Sequence, residues 1–79
     1  MGFYIKITKI YESSEVARYT FSPDEERFGK IEVNKLTGEM DYIEPMEGDN
    51  RDLFLIRAAA RLRQVTKNGV YPESAEWAS

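Results

Sequence analysis

Residues 51–67 hold neither glycine nor proline and are rich in leucine, alanine and arginine, a composition that favours one long helix. Asp49 or Asn50 supplies an N-cap, and Asp52 suits the positive end of the helix dipole. Asn68-Gly69 predicts the stop, because Gly69 tolerates the left-handed conformation a helix end requires, and Pro72 bars continuation. Advancing about 100° per residue places Phe54, Leu55, Ala58, Ala59, Leu62, Val65 and Thr66 on one side. That side should face a sheet, and the two alanines let the helix sit close to it.

The opposite side carries Arg57, Arg61, Arg63 and Lys67, together with Leu53, Ile56 and Ala60. Solvated basic residues late in a helix need no further explanation. The apolar three do. The tail beyond residue 70, with Tyr71 or Trp77, is expected to cover them, the alternative being a partner or dimer surface.

Ahead of the helix the period changes to two. Phe3, Ile5 and Ile7 alternate with Tyr4, Lys6 and Thr8, so 3–11 reads as a half-buried strand, with Ile10 out of phase through a bulge or a two-faced strand end. Ser13-Ser14 breaks the chain, and 16–22 resumes with Ala17, Tyr19 and Phe21 on one face. Pro23 ends that strand, and 23–26 has room for one helical turn. A third strand spans 28–33 through Phe28, Ile31 and Val33. Gly38 turns the chain into a fourth strand, with Met40, Tyr42 and Ile43, that closes at Pro45. Phe3, Tyr19, Phe21 and Phe28 read as core. The fold class is therefore α+β, with one domain over 1–79. It is an antiparallel sheet of about four strands in meander order 1-2-3-4, packed by one C-terminal helix, with an ordered C-terminal tail packed on the domain. A rearranged order with strand 1 more central is the alternative.

Composition narrows the function classes. There is no His and no Cys, which excludes a classical zinc site, a Cys or Ser–His nucleophile pair and a haem ligand set. The five glycines are scattered, and no phosphate-binding loop or calcium loop is spelled out. No metal, cofactor or catalytic residue is expected, and the chain reads as a non-enzyme. Lys6 and Lys9 interrupt the apolar start, so neither a signal sequence nor a membrane span is expected, and the location predicted is cytoplasmic.

The net charge of −3 hides three blocks. Residues 1–50 carry six basic and eleven acidic side chains, net −5; residues 51–67 are net +4; residues 68–79 are net −2. Asp24, Glu25 and Glu26 in one loop, and Asp41, Glu44, Glu47 and Asp49 around another, can present a negative field to a basic protein. With Leu53, Ile56 and Ala60 they form the candidate partner-binding set. Nucleic-acid binding by Arg57, Arg61, Arg63 and Lys67 is the alternative, although an acidic chain is a poor general binder of nucleic acid. The chain is expected to be a monomer or a homodimer.

Several segments also carry a resemblance. Phe28-Gly29-Lys30-Ile31-Glu32-Val33, the turn Leu36-Thr37-Gly38-Glu39, the helix core Arg57-Ala58-Ala59-Ala60-Arg61-Leu62 and the ending from Tyr71-Pro72-Glu73 to Trp77-Ala78-Ser79 are its basis. In these the chain resembles small bacterial proteins of about eighty residues built from a strand meander and one helix. Some proteins of that build are similar to immunity proteins, which bind and neutralise a cognate bacterial toxin. The resemblance implies an α+β fold and a protein partner, and it assigns no individual residue a role.

Overall fold

A computed structural model describes residues 4–78. Phe3, read above as core, lies outside the described residues, as does the side chain of Asn50. The chain forms β1 (Tyr4–Glu12), β2 (Val16–Ser22), β3 (Gly29–Asn34), β4 (Met40–Glu44), a short 3-10 turn (Asn50–Asp52), α1 (Leu53–Val65) and β5 (Ser74–Ala78). The fold is α+β, as the periodicities predict, but the sheet has five strands rather than four, in the order β4-β3-β2-β1-β5. All neighbours are antiparallel. The meander 1-2-3-4 is present, and the segment after the helix adds a strand outside β1. Its alternation was readable: Ala75 and Trp77 face inward opposite Ile7 and Ile5, while Glu76 stands opposite Lys6.

One face of the sheet is covered by α1 and the other meets solvent, so β2, β3 and the first half of β1 alternate buried and more exposed residues. Ile5, Ile7, Ala17, Tyr19, Phe21, Ile31 and Val33 are buried on the covered face, against Leu55, Ala58, Ala59 and Leu62 of the helix. The helix side predicted to face the sheet does so. Met46, from the loop after β4, joins this core and was not anticipated. The open face carries polar pairs such as Arg18 and Glu32, directly opposite each other on β2 and β3 and 2.7 Å apart.

Phe28 corrects the sequence reading. It precedes β3 and is 44% exposed. The reason lies in Gly29, which stands opposite Phe21 and has the Phe21 ring lying across it. A Cβ on Gly29 would fall 2.2 Å from Phe21 Cζ, so the inward position at the start of β3 is filled by a neighbour's ring. The 23–26 segment holds no helical turn. Instead Ser22 Oγ accepts from the Glu25 N–H (2.7 Å), and Asp24 Oδ1 accepts from the Glu26 and Arg27 N–H groups (3.0 and 3.1 Å). Side chains that satisfy the backbone locally compete with the helix here. The α-helix is shorter than 51–67, because Arg51 and Asp52 have positive φ (58° and 56°) and cannot belong to it.

The register of β1 against β2 shifts between Lys9 and Tyr11, which favours the bulge of the two explanations for Ile10. Lys9 stands opposite the buried Tyr19 and turns its ammonium onto the segment that leads into β5. Its Nζ donates to Glu12 and to the Tyr71 carbonyl (3.0 Å) and lies 3.3 Å from Glu73. Lys35 Nζ donates to the other Glu12 oxygen (2.6 Å) and to the Ser13 carbonyl (2.9 Å), and sits 5.1 Å from the centre of the Tyr71 ring. Tyr19 donates its hydroxyl to the Pro72 carbonyl (2.7 Å), and burial pushes its pKa up to about 12. These contacts hold residues 71–73 at the sheet end where β5 begins.

Two outcomes are expected. Gly29→Ala should lower stability by about 1–3 kcal/mol in urea unfolding, because the new Cβ strikes the Phe21 ring. The loss should shrink in a Phe21→Leu background. Hydrogen bonds from Lys35 and Lys9 hold the Glu12 carboxyl at about 2, against an ordinary value of 4.5. Its folded pKa is the lower one, so its contribution is fully present above about 4.5 and is lost as pH falls toward 2. Urea midpoints between pH 5 and pH 2 should therefore fall less steeply for Glu12→Gln than for the parent.

Candidate functional site

The sheet has two edges, and they are finished differently. At β5, the Glu73 carbonyl accepts from the β1 N–H of Lys9 (2.8 Å). Backbone groups alternate sides along a strand, so the carbonyl of Glu76 points away from β1. Arg61 Nε reaches across from α1 and occupies it at 2.9 Å. An edge capped by a cation is a poor template for another strand.

At β4 the ladder to β3 runs through Asn34 N–H to Glu39 C=O (2.8 Å), with Val33 opposite Met40 and Glu32 opposite Asp41. Glu39 thus turns its C=O inward while its N–H donates to Thr37 Oγ1 (3.2 Å), Asp41 follows as the next inward residue, and a trans peptide aims its C=O and N–H in opposite directions. Met40 is left with both groups outward, and Tyr42 with its N–H outward. Among the described residues no side chain guards this edge. From Asp41 to Glu44 every residue of β4 is exposed. Tyr42 and Ile43 are exposed at 52% and 47%.

Charge sharpens the contrast. Residues 39–49 hold Glu39, Asp41, Glu44, Glu47 and Asp49 and no basic residue. Asp41 faces another acid, Glu32, across the ladder, and Glu44 faces Lys30. The turn between β2 and β3 and the loop after β4 lie at the same end of the sheet. The Arg27 guanidinium lies beside Gly48, 3.2 Å from where a Cβ would stand. The two acidic groups separated in sequence are therefore neighbours.

Not all of these acids are available. Asp24 is tied to Arg27 Nε (3.1 Å), and the backbone N–H groups of Glu26 and Arg27 hold its carboxyl down at about 2. Glu25 pairs with Lys6 at 3.0 Å. Asp49 receives the N–H groups of Phe54 (2.9 Å) and Leu55 (3.0 Å), and so caps α1 across the left-handed step at residues 51–52. Glu26, Asp41, Glu44 and Glu47 are exposed and belong to no ion pair among the described residues.

The tail does not cover the helix stripe, contrary to expectation. Leu53, Ile56 and Ala60 remain exposed, Ile56 at 59%. The Tyr71 ring lies under Lys35, and strand pairing places Trp77 opposite Ile5. Trp77 instead borders an open groove of about 490 Å³, shared with Ala60, Arg63, Gln64 and Lys67. Its Nε1 is buried with no partner among the described residues. Of the basic set, Arg61 is engaged with Glu76 and with Gln64 (2.8 Å), and Arg57 reaches the Leu53 carbonyl (3.4 Å). Arg63 and Lys67 line the groove.

Tyr42 and Ile43 fall in the fourth strand by sequence and lie outside the candidate partner-binding set. A signal was present, since β4 is short, ends at Pro45 and is flanked by acids, all marks of an edge strand. Among the described residues, no group of three or more acidic side chains could hold a metal ion, and no helix is long and apolar enough to cross a membrane. Comparison of the chain with protein-family models, curated proteins and solved structures returns no match.

Replacing Asp49 tests whether it serves structure. Asp49→Ala should cost about 1–2 kcal/mol through loss of the cap, and Asp49→Asn less, measured by thermal and urea unfolding. A charge-only role predicts equal, negligible effects.

Proposed function

We propose that this chain is a non-catalytic, cytoplasmic protein-binding module whose partner is a basic protein, with an immunity-type toxin inhibitor as its most specific form. The observation that carries the reading is the exposed β4 edge, where two apolar side chains stand inside an acidic fringe. Acidic fringes raise association rates with basic partners and reject acidic ones. Half-exposed apolar side chains within a charged rim supply the desolvated contact that sustains a complex. Inhibition would follow by occlusion. Where the partner has a cleft for nucleic acid, carboxylates at Asp41, Glu44 and Glu47 can occupy the places of phosphates.

The alternative, nucleic-acid binding by residues 51–67, has less support. Arg61 is engaged within the protein, and each phosphate contact contributes only a share of non-specific affinity. Arg63 and Lys67 alone make a weak footprint.

The chain, immobilised and exposed to extract of its native cells, should retain one basic protein. The triple variant Asp41→Lys, Glu44→Lys, Glu47→Lys should bind that protein on the order of tenfold or more weakly, with most of the loss in the association rate. Parent affinity should fall as salt rises. Equal retention by parent and triple variant, or retention of nucleic acid in place of protein, would overturn the reading.

A further inference from the structure

The two sheet edges differ in a way that specifies how a partner docks. We infer that β4 accepts a basic, extended segment of the partner as a sixth strand, bonded through the outward N–H and C=O of Met40 and the outward N–H of Tyr42. The inference rests on the protein-binding reading and adds a mode of recognition to it.

Three observations carry it. First, β4 offers open backbone donors and acceptors, whereas β5 has its Glu76 carbonyl occupied by Arg61 at 2.9 Å. A natural edge left open and long enough to pair is a template for strand addition. Second, Tyr42 and Ile43 are half-exposed on that edge, so an added strand covers apolar surface as well as pairing backbone. Third, the charges choose the occupant. A second copy of this chain, paired antiparallel with Met40 opposite either Met40 or Tyr42, would set Asp41 opposite Glu39 or Asp41 of the other copy, and like charges directly opposite are destabilising. A basic strand meets complementary charge at the same positions.

The ladder also predicts the pattern of the incoming segment. Asp41 shares a face with Glu32, and Glu44 shares that face with Lys30. Side chains of an added strand alternate faces. Basic residues at every second position would therefore lie beside Asp41 and Glu44, with β-branched residues between them on the helix-covered face.

The test uses a capped ten-residue peptide alternating lysine with valine and threonine, and its counterpart with glutamate for lysine. The lysine peptide should bind the full chain and slow amide hydrogen exchange at Met40 and Tyr42 at least tenfold, and the glutamate peptide should do neither. Tyr42→Pro removes one outward donor while leaving the β3 ladder and every charge in place. It should weaken lysine-peptide binding at least fivefold, with core amides of β1 and β2 still protected as proof of folding. Should that variant not fold, the exchange at Met40 and Tyr42 in the parent decides the question. Binding without slowed exchange at these amides, equal binding by folded Tyr42→Pro, or no binding of the lysine peptide would overturn strand addition. A dimer of the free chain by light scattering that becomes monomeric in Tyr42→Pro would put a second copy on the edge and overturn it too. A native partner lost by the triple charge variant but kept by folded Tyr42→Pro would leave the protein-binding reading standing and remove this mode alone.

Discussion

The sheet depends on how the chain is returned to β1 after the helix. Ile5 and Ile7 are fully buried, which an edge strand would not achieve, and β5 makes β1 an interior strand. The return is directed at residues 71–73, where Tyr19 holds the Pro72 carbonyl and Lys9 holds that of Tyr71. Lys9 can do this because it lies on the covered face opposite Tyr19, just before the bulge. Buried polar groups cost free energy unless they are paired. Here the tyrosine hydroxyl and the lysine ammonium find backbone carbonyls of a segment with no ladder of its own, so satisfying them also positions the fifth strand.

That return produces the asymmetry on which the functional reading rests. Once β5 lies beside β1, Arg61 on the helix comes within reach of the β5 edge and closes it. The far edge, β4, has no such helix residue over it, since α1 lies chiefly above β5, β1 and β2. Its defence is charge, not cover. An acidic fringe works against pairing with a like-charged strand and favours one of opposite charge. One outward carbonyl of β5 is thus occupied by Arg61, whereas among the described residues no side chain bonds the outward backbone of β4.

The candidate binding residues divide by what their side chains already hold. Asp49 spends its carboxylate on two helix N–H groups, Asp24 on its own turn and Glu25 on Lys6. Asp41, Glu44 and Glu47 are left exposed. Composition cannot make this division, because all six residues are acids in polar stretches. The deciding factor is whether an unsatisfied donor lies nearby in the folded chain. The helix stripe shows the same limit in reverse. Leu53, Ile56 and Ala60 looked suited to cover by the tail, but the hydrogen bonds available at β1 drew the tail elsewhere.

Short-range periodicity encodes the α+β class, the meander and the buried side of α1, and it leaves the break at Ile10 open between a bulge and a two-faced strand end. Period two marks a half-buried strand, and apolar residues three and four apart mark a helix face. Tertiary structure alone decided that Phe28 is outside, that Gly29 lies beneath Phe21, that the tail is a fifth strand and that one edge is capped while the other is open. Those outcomes depend on contacts between residues far apart in the chain. Phe21 and Gly29 meet through strand register, and Arg61 and Glu76 through the path of the linker after the helix. No local pattern encodes such meetings, because the partner is selected by where packing brings it.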